Sequence, residues 1–244
     1  MAAEASVPRH PVAQPGLFSR GLTAFAQCLK WLVLSLVFSI LMEWIGMLWW
    51  WPEQGVQHSR QMIRAELSYL AIDFRRSLVS ADPVQFAKTG ASRAHDFLFH
   101  KTGFMAMTEW LKPLPKREAQ SLGDGLRRGY AKVSDFVQAG MNITQVFAIR
   151  LCILVLATPV FGLFALVGLV DGLVRRDLRR WGGGRESSFV YHYAKSALAP
   201  LVLIAGVLYL AMPISLHPTV VILPFATGFG MIVAITASTF KKYL

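Results

Sequence analysis

Charged residues are scarce in this chain of 244 residues, at 16%, where a soluble domain has about a quarter. With 54% hydrophobic residues and a positive mean hydropathy, that scarcity excludes an ordinary soluble domain. Cysteine is nearly absent. Cys28 lies ahead of the first apolar run and Cys152 inside the second, a placement that excludes a disulfide framework and gives no zinc spacing. Each reads as a small apolar thiol. Catalytic signatures are missing too: there is no His-Glu-x-x-His, no Cys-x-x-Cys and no Gly-x-Ser-x-Gly. The expectation is a chain that is not an enzyme, with no catalytic residues, no cofactor and no bound metal. Strand-like alternation and internal repeats are absent as well. Acid is in deficit, 14 Asp and Glu against 25 Lys and Arg. Gathered on one patch, that excess would mean nucleic acid, but it is spread among the segments between apolar runs, which argues against direct nucleic-acid binding.

What is present is four apolar stretches with the length of about 20 residues that a hydrocarbon core demands. They are residues 31–51, 151–174, 197–216 and 219–240. Backbone groups cannot stay unpaired in lipid, so each must be helical. The predicted fold class is an all-α integral membrane protein with four transmembrane helices. The first stretch is too long for a signal peptide, and Leu48-Trp49-Trp50-Trp51-Pro52 has no small-residue cleavage pattern, so it reads as a retained anchor with its tryptophans in a headgroup layer.

Orientation follows from short basic segments. Arg175, Arg176, Arg179, Arg180, Arg185 and Lys195 mark 175–196 as a cytoplasmic loop. Arg9, Arg20 and Lys30 precede the first span, and Lys241 and Lys242 follow the last. Both termini, 1–30 and 241–244, are therefore expected in the cytoplasm of a bacterial cell with the protein in its inner membrane. Residues 52–146 then form a periplasmic helical domain. Its first helix is marked by Ile63, Leu67, Leu70, Phe74 and Leu78, its second by Asp82-Pro83 as N-cap and first helical residue. A third stripe, Leu122, Leu126, Tyr130, Val133 and Val137, runs on towards the second span. Thr102-Gly103 and Lys112-Pro113-Leu114-Pro115 are the expected breaks. Three helices of this size enclose only a small core, so the domain must lean on the membrane, a second copy or a partner. Residues 1–18 read as a tail without order.

Among candidate functional residues, Glu43 comes first, because an acid inside a span costs at least a few kcal/mol and is tied to a partner or a function. It is expected near mid-bilayer, pairing with a helix or partner. Asp171 has a local answer in Arg175, four residues on. Gly168 with Gly172, and Ala226 with Gly230, match the small-xxx-small spacing that lets membrane helices approach closely. The arginines and Glu186 form a candidate surface for a partner protein or for anionic lipid, where each basic side chain gains about 1 kcal/mol. Gly182-Gly183-Gly184 lacks the lysine and preceding strand of a phosphate loop and reads as a turn, with Ser187 or Ser188 capping the next helix. His95 and His100, five apart, do not share an α-helix face, which argues against a metal pair.

The run Arg176-Asp-Leu-Arg-Arg-Trp-Gly-Gly-Gly-Arg-Glu-Ser-Ser-Phe-Val-Tyr-His-Tyr-Ala-Lys195 resembles a family of inner-membrane proteins encoded by bacterial integrating conjugative elements and related plasmids. Met42-Glu43-Trp44 and Ala237-Ser-Thr-Phe-Lys-Lys-Tyr-Leu244 are similar as well. The resemblance implies a component of conjugative DNA transfer by type IV secretion, with the coupling ATPase that delivers DNA as leading partner and no catalytic residues to carry over. The expected function is binding or stabilising that ATPase at the membrane, alongside other secretion components. The alternative is a channel or transporter built as a homo-oligomer.

Overall fold

The computed structural model describes residues 17–73, 79–111, 123–182 and 188–240. Among them the chain is all helix and turn: α1 (Leu17–Trp49), α2 (Val56–Asp73), α3 (Pro83–His95), a π-helical turn (Asp96–His100), α4 (Phe104–Trp110), α5 (Gly123–Trp181), α6 (Ser188–Ala211) and α7 (Pro218–Thr239). Four stretches are long and apolar enough to cross a membrane: Gly21–Trp49, Val133–Trp181, Phe189–Ala211 and Pro218–Thr239.

The helices overrun the expected spans. α1 begins at Leu17, so the last residues of the expected tail are helical and expose Phe18, Leu22, Phe25 and Leu29 along one face. α5 is one helix of 59 residues, roughly 88 Å at 1.5 Å per residue. The third stripe and the second span are therefore a single rod, because no glycine pair or proline interrupts the chain between them. Arg175, Arg176, Arg179 and Arg180, expected in a loop, instead ride on that rod's last turns, and Lys195 lies within α6. α6 stops at Ala211, ahead of Pro213, which has no N–H to bond back to Tyr209 O. Residues 74–78, the Lys112–Pro115 break and Ser187 lie outside the described residues, as do Arg185, Glu186 and the last four residues.

Close approaches fix the helix directions. Trp44 of α1 donates to Phe136 O of α5 at 2.8 Å while Ile40 faces Gly140, so α1 and α5 are antiparallel. Gly168 faces Gly230 and Gly172 faces Ala234, which makes α5 and α7 parallel. Tyr191 meets Phe240, and Leu201 faces Gly228, so α6 runs against α7. The start of α1 and the end of α7 consequently share one end of the bundle. That end carries the α5 arginines. The other carries Trp49 to Trp51 and the His217 turn.

At this tryptophan end, α2 and α3 lie against α5 and share its core. Leu70, Ala87 and Ala91 pack with Ile149, Ile153, Leu156, Tyr209, Val221 and Ile222. The support that the intervening segment needs thus comes from the bundle itself. Asp82 caps α3 by accepting from Gln85 N at 3.0 Å, with Pro83 in the first turn. Gly103, with φ +74°, makes the break before α4, a left-handed backbone that suits glycine.

Candidate functional site

The most buried polar group in the bundle pairs an arginine one residue ahead of the expected second span with an acid of α2. Arg150, on α5, is 1% exposed, and Glu66 of α2 is fully buried. Arg150 Nε donates to Glu66 Oε1 at 2.8 Å, and a terminal guanidinium nitrogen lies 2.8 Å from the same oxygen. The guanidinium also donates to the carbonyls of Tyr209 at 3.3 Å, Met212 at 2.6 Å and Ile214 at 2.8 Å. Those carbonyls belong to the last turn of α6 and the chain beyond it, where no helical partner exists. One planar fork therefore neutralises an acid and caps a helix at its negative end. Tyr209 Oη completes the set by donating to Glu66 Oε2 at 3.0 Å. A signal for the pair was available: Glu66 lies three residues after Ile63 and four before Leu70, on the apolar face of its helix.

Glu43 is the second buried acid, 1% exposed, on a stripe of α1 with Ser35, Ser39 and Met47. His58, in the first turns of α2, reaches it with Nδ1 at 2.9 Å from Oε2 and 3.2 Å from Oε1. Trp51 stacks on the imidazole at 4.0 Å between centroids, lying back over Gly46, where an added Cβ would fall 2.0 Å from its ring. Glu43 sits six residues, about 9 Å, from the end of α1. Its carboxylate is engaged within the chain, by a residue of the helix that follows it. No span supplies His58, which is why the search among spans missed it. Further along α2, Asp73 accepts from Thr219 Oγ1 at 3.0 Å and lies 3.4 Å from His217 Nδ1, fastening the turn before α7.

The glycine spacings also meet inside the chain. A Cβ on Gly168 would stand 2.1 Å from Gly230 O, one on Gly172 2.4 Å from Ala234 O, and one on Gly230 2.8 Å from Phe164 O. Ala226, one turn before Gly230, is fully buried. Both small-residue faces are thus occupied by α5 against α7, through which these backbones come close.

At the other end, Arg175 is bonded to Asp171 at 2.8 Å across one turn, both side chains well exposed. Arg176 lies 3.8 Å from Asp177 and lines an apolar groove with Leu173, Leu198, Val233 and Phe240. Arg179 is half-buried, Arg180 exposed, and Trp181 stands 91% exposed beside them. The result is a stiff basic helix end with an aromatic tip.

A family model described as IncC plasmid conjugative DNA transfer protein DtrJ-like matches residues 50–241. The chain belongs to the DtrJ-like family. This agrees with the resemblance read from the 176–195 run and places the chain among conjugative DNA-transfer proteins. No curated protein and no solved structure matches it. The DtrJ-like match covers α2 to α7 and leaves out α1 up to Trp49.

Proposed function

We propose that this DtrJ-like protein is a non-enzymatic inner-membrane component of the conjugative apparatus, and that it binds or stabilises the coupling ATPase at the membrane. The observation that carries this reading is where the polar groups go. Among the described residues, the buried acids of the bundle are engaged inside the chain, Glu66 by Arg150 and Glu43 by His58. Neither pair leads along a path between the helices, as a transport route would require. Basic surface remains at the end of α5, where Arg179 and Arg180 stand on a continuous helix beside Arg175 and Arg176, which are paired to Asp171 and Asp177. A rigid array of guanidinium groups suits acidic protein surface and anionic headgroups, and in lipid such polar contacts set partner choice. Both termini then face the cytoplasm, and α2 to α4 the periplasm.

The test is affinity purification of the tagged protein from detergent-solubilised membranes of cells carrying the whole conjugative system. Enrichment of the coupling ATPase, lost with Arg179→Glu/Arg180→Glu, supports docking on this helix end. Unchanged recovery with the correctly inserted double variant removes the arginines from the interface. Recovery of the protein alone, as a defined oligomer, replaces the docking reading with a self-assembled channel, whose ion flux is measurable in vesicles.

A further inference from the structure

Five-residue spacing separates two histidines in an α-helix, but the chain is not α-helical where it joins them. Residues 96–100 form a π-helical turn, closed by Lys101 N donating to Asp96 O at 3.0 Å. Hydrogen bonding from i to i+5 widens the turn, so residues five apart stand above one another. The rings of His95 and His100 accordingly lie 5.8 Å apart, edge to face. This overturns the spacing argument against the pair. Asp96 lies beside them, with Oδ1 3.8 Å from His95 Nδ1. One ligand atom from each of His95, Asp96 and His100 can be chosen so that all lie within 4.8 Å of one another.

We propose that His95, Asp96 and His100 bind a divalent transition-metal ion of the zinc class. Two imidazoles and a carboxylate are a borderline donor set that suits zinc, nickel or cobalt better than calcium or magnesium. Neighbouring ligands on a tetrahedral ion with bonds near 2.1 Å stand roughly 3.4 Å apart. Closing from the present separation asks the side chains to move, and Asp96 and His100 are exposed. The turn is the uncommon element here. π-helical hydrogen bonding is rare, and this turn, at the end of α3, aligns the donors that a regular helix would splay. Phe99 packs on His95 at 5.2 Å and limits its ring. Lys88 shares the groove with His95 and Asp96, while Lys101 lies over Phe97. With three protein ligands, a water or a partner side chain takes the remaining position. Bound there, the ion pins the end of α3 to the turn before α4.

The experiment is titration of the full chain, purified in detergent with an affinity tag free of histidine, with Zn²⁺ by calorimetry and with Co²⁺ by visible absorption. One ion per chain is expected, with cobalt bands of nitrogen and oxygen ligation. His95→Gln, His100→Gln and Asp96→Asn should each weaken binding by about tenfold or more, and the double histidine variant should abolish it. Uptake that survives the double variant assigns the ion to His10, His58, His192 or His217 and overturns the proposal, as does absence of stoichiometric uptake by the native chain. Gel filtration separates lost binding from lost folding, and His100→Gln alters a side chain that is exposed.

Discussion

Arg150 and Glu66 are 84 residues apart in sequence and 2.8 Å apart in space, and they join the first helix after α1 to the middle of α5 and the end of α6. Replacing Arg150 by Met strips Glu66 of its cation and uncovers three carbonyls at once. The expected loss is about 3–5 kcal/mol, the cost of breaking a buried pair from one side. Glu66→Gln keeps the shape and an acceptor, so its loss should be smaller. Arg150→Met/Glu66→Leu removes both charges and should recover part of the deficit, leaving the uncapped α6 end. Thermal unfolding of the four purified proteins in one detergent gives the order. An Arg150→Met melting curve superimposed on the native one would remove the pair from the account of stability.

The sequence made the four spans and their alternation legible because lipid imposes length and apolarity on each. It also made Asp82-Pro83, Gly103 and the Asp171–Arg175 pair legible, since each is a local rule acting within four residues. Arg150 and Glu66 were harder. Their partnership depends on how α2 folds back on α5, which no local pattern encodes, although each interrupts an apolar face. His58 was hidden for the same reason. The His95–His100 pair misled because the face argument assumes 3.6 residues per turn, and the chain departs from that here.

Gly168 and Gly162 are six residues apart on α5 and should respond oppositely to alanine. At Gly168 the new Cβ meets the carbonyl of Gly230, backbone that cannot rotate away, so α5 and α7 must separate at a cost of about 1–3 kcal/mol or more. At Gly162 nothing lies within 4 Å, and alanine should be neutral or stabilise by up to ~1 kcal/mol through helix propensity. Melting temperatures in detergent read both. A tolerated Gly168→Ala would show that the two helices do not pack through these glycines.

His58→Ala should leave the Glu43 carboxylate buried without its donor, a loss of about 1.5–3 kcal/mol for a hydrogen bond to a charged group. Trp51 depends on the same site, stacked on His58 and seated on Gly46. Gly46→Val must therefore displace the indole, and it should cost much less in a Trp51→Phe/His58→Ala background than in the native one. Stability measured around that cycle distinguishes a coupled cluster from independent contacts, for which the costs would add.

Orientation can be read with a cysteine that reacts from one side only. Thr102, before the break at Gly103, and Gly182, after the last turn of α5, are both exposed and lie on opposite sides of the bundle. The arginines of α5 should hold Gly182 in the cytoplasm, since translocating a short, strongly basic segment is disfavoured. With Cys28 and Cys152 replaced by serine, Thr102→Cys should react with a membrane-impermeant maleimide in spheroplasts. Gly182→Cys should react only after the membrane is opened. The reverse pattern would put the basic helix end outside, where a cytoplasmic ATPase domain cannot reach it, and would remove the physical basis of the docking reading. Labelling of both in spheroplasts would mean mixed insertion, and adding arginines beside Lys241 should then restore a single orientation.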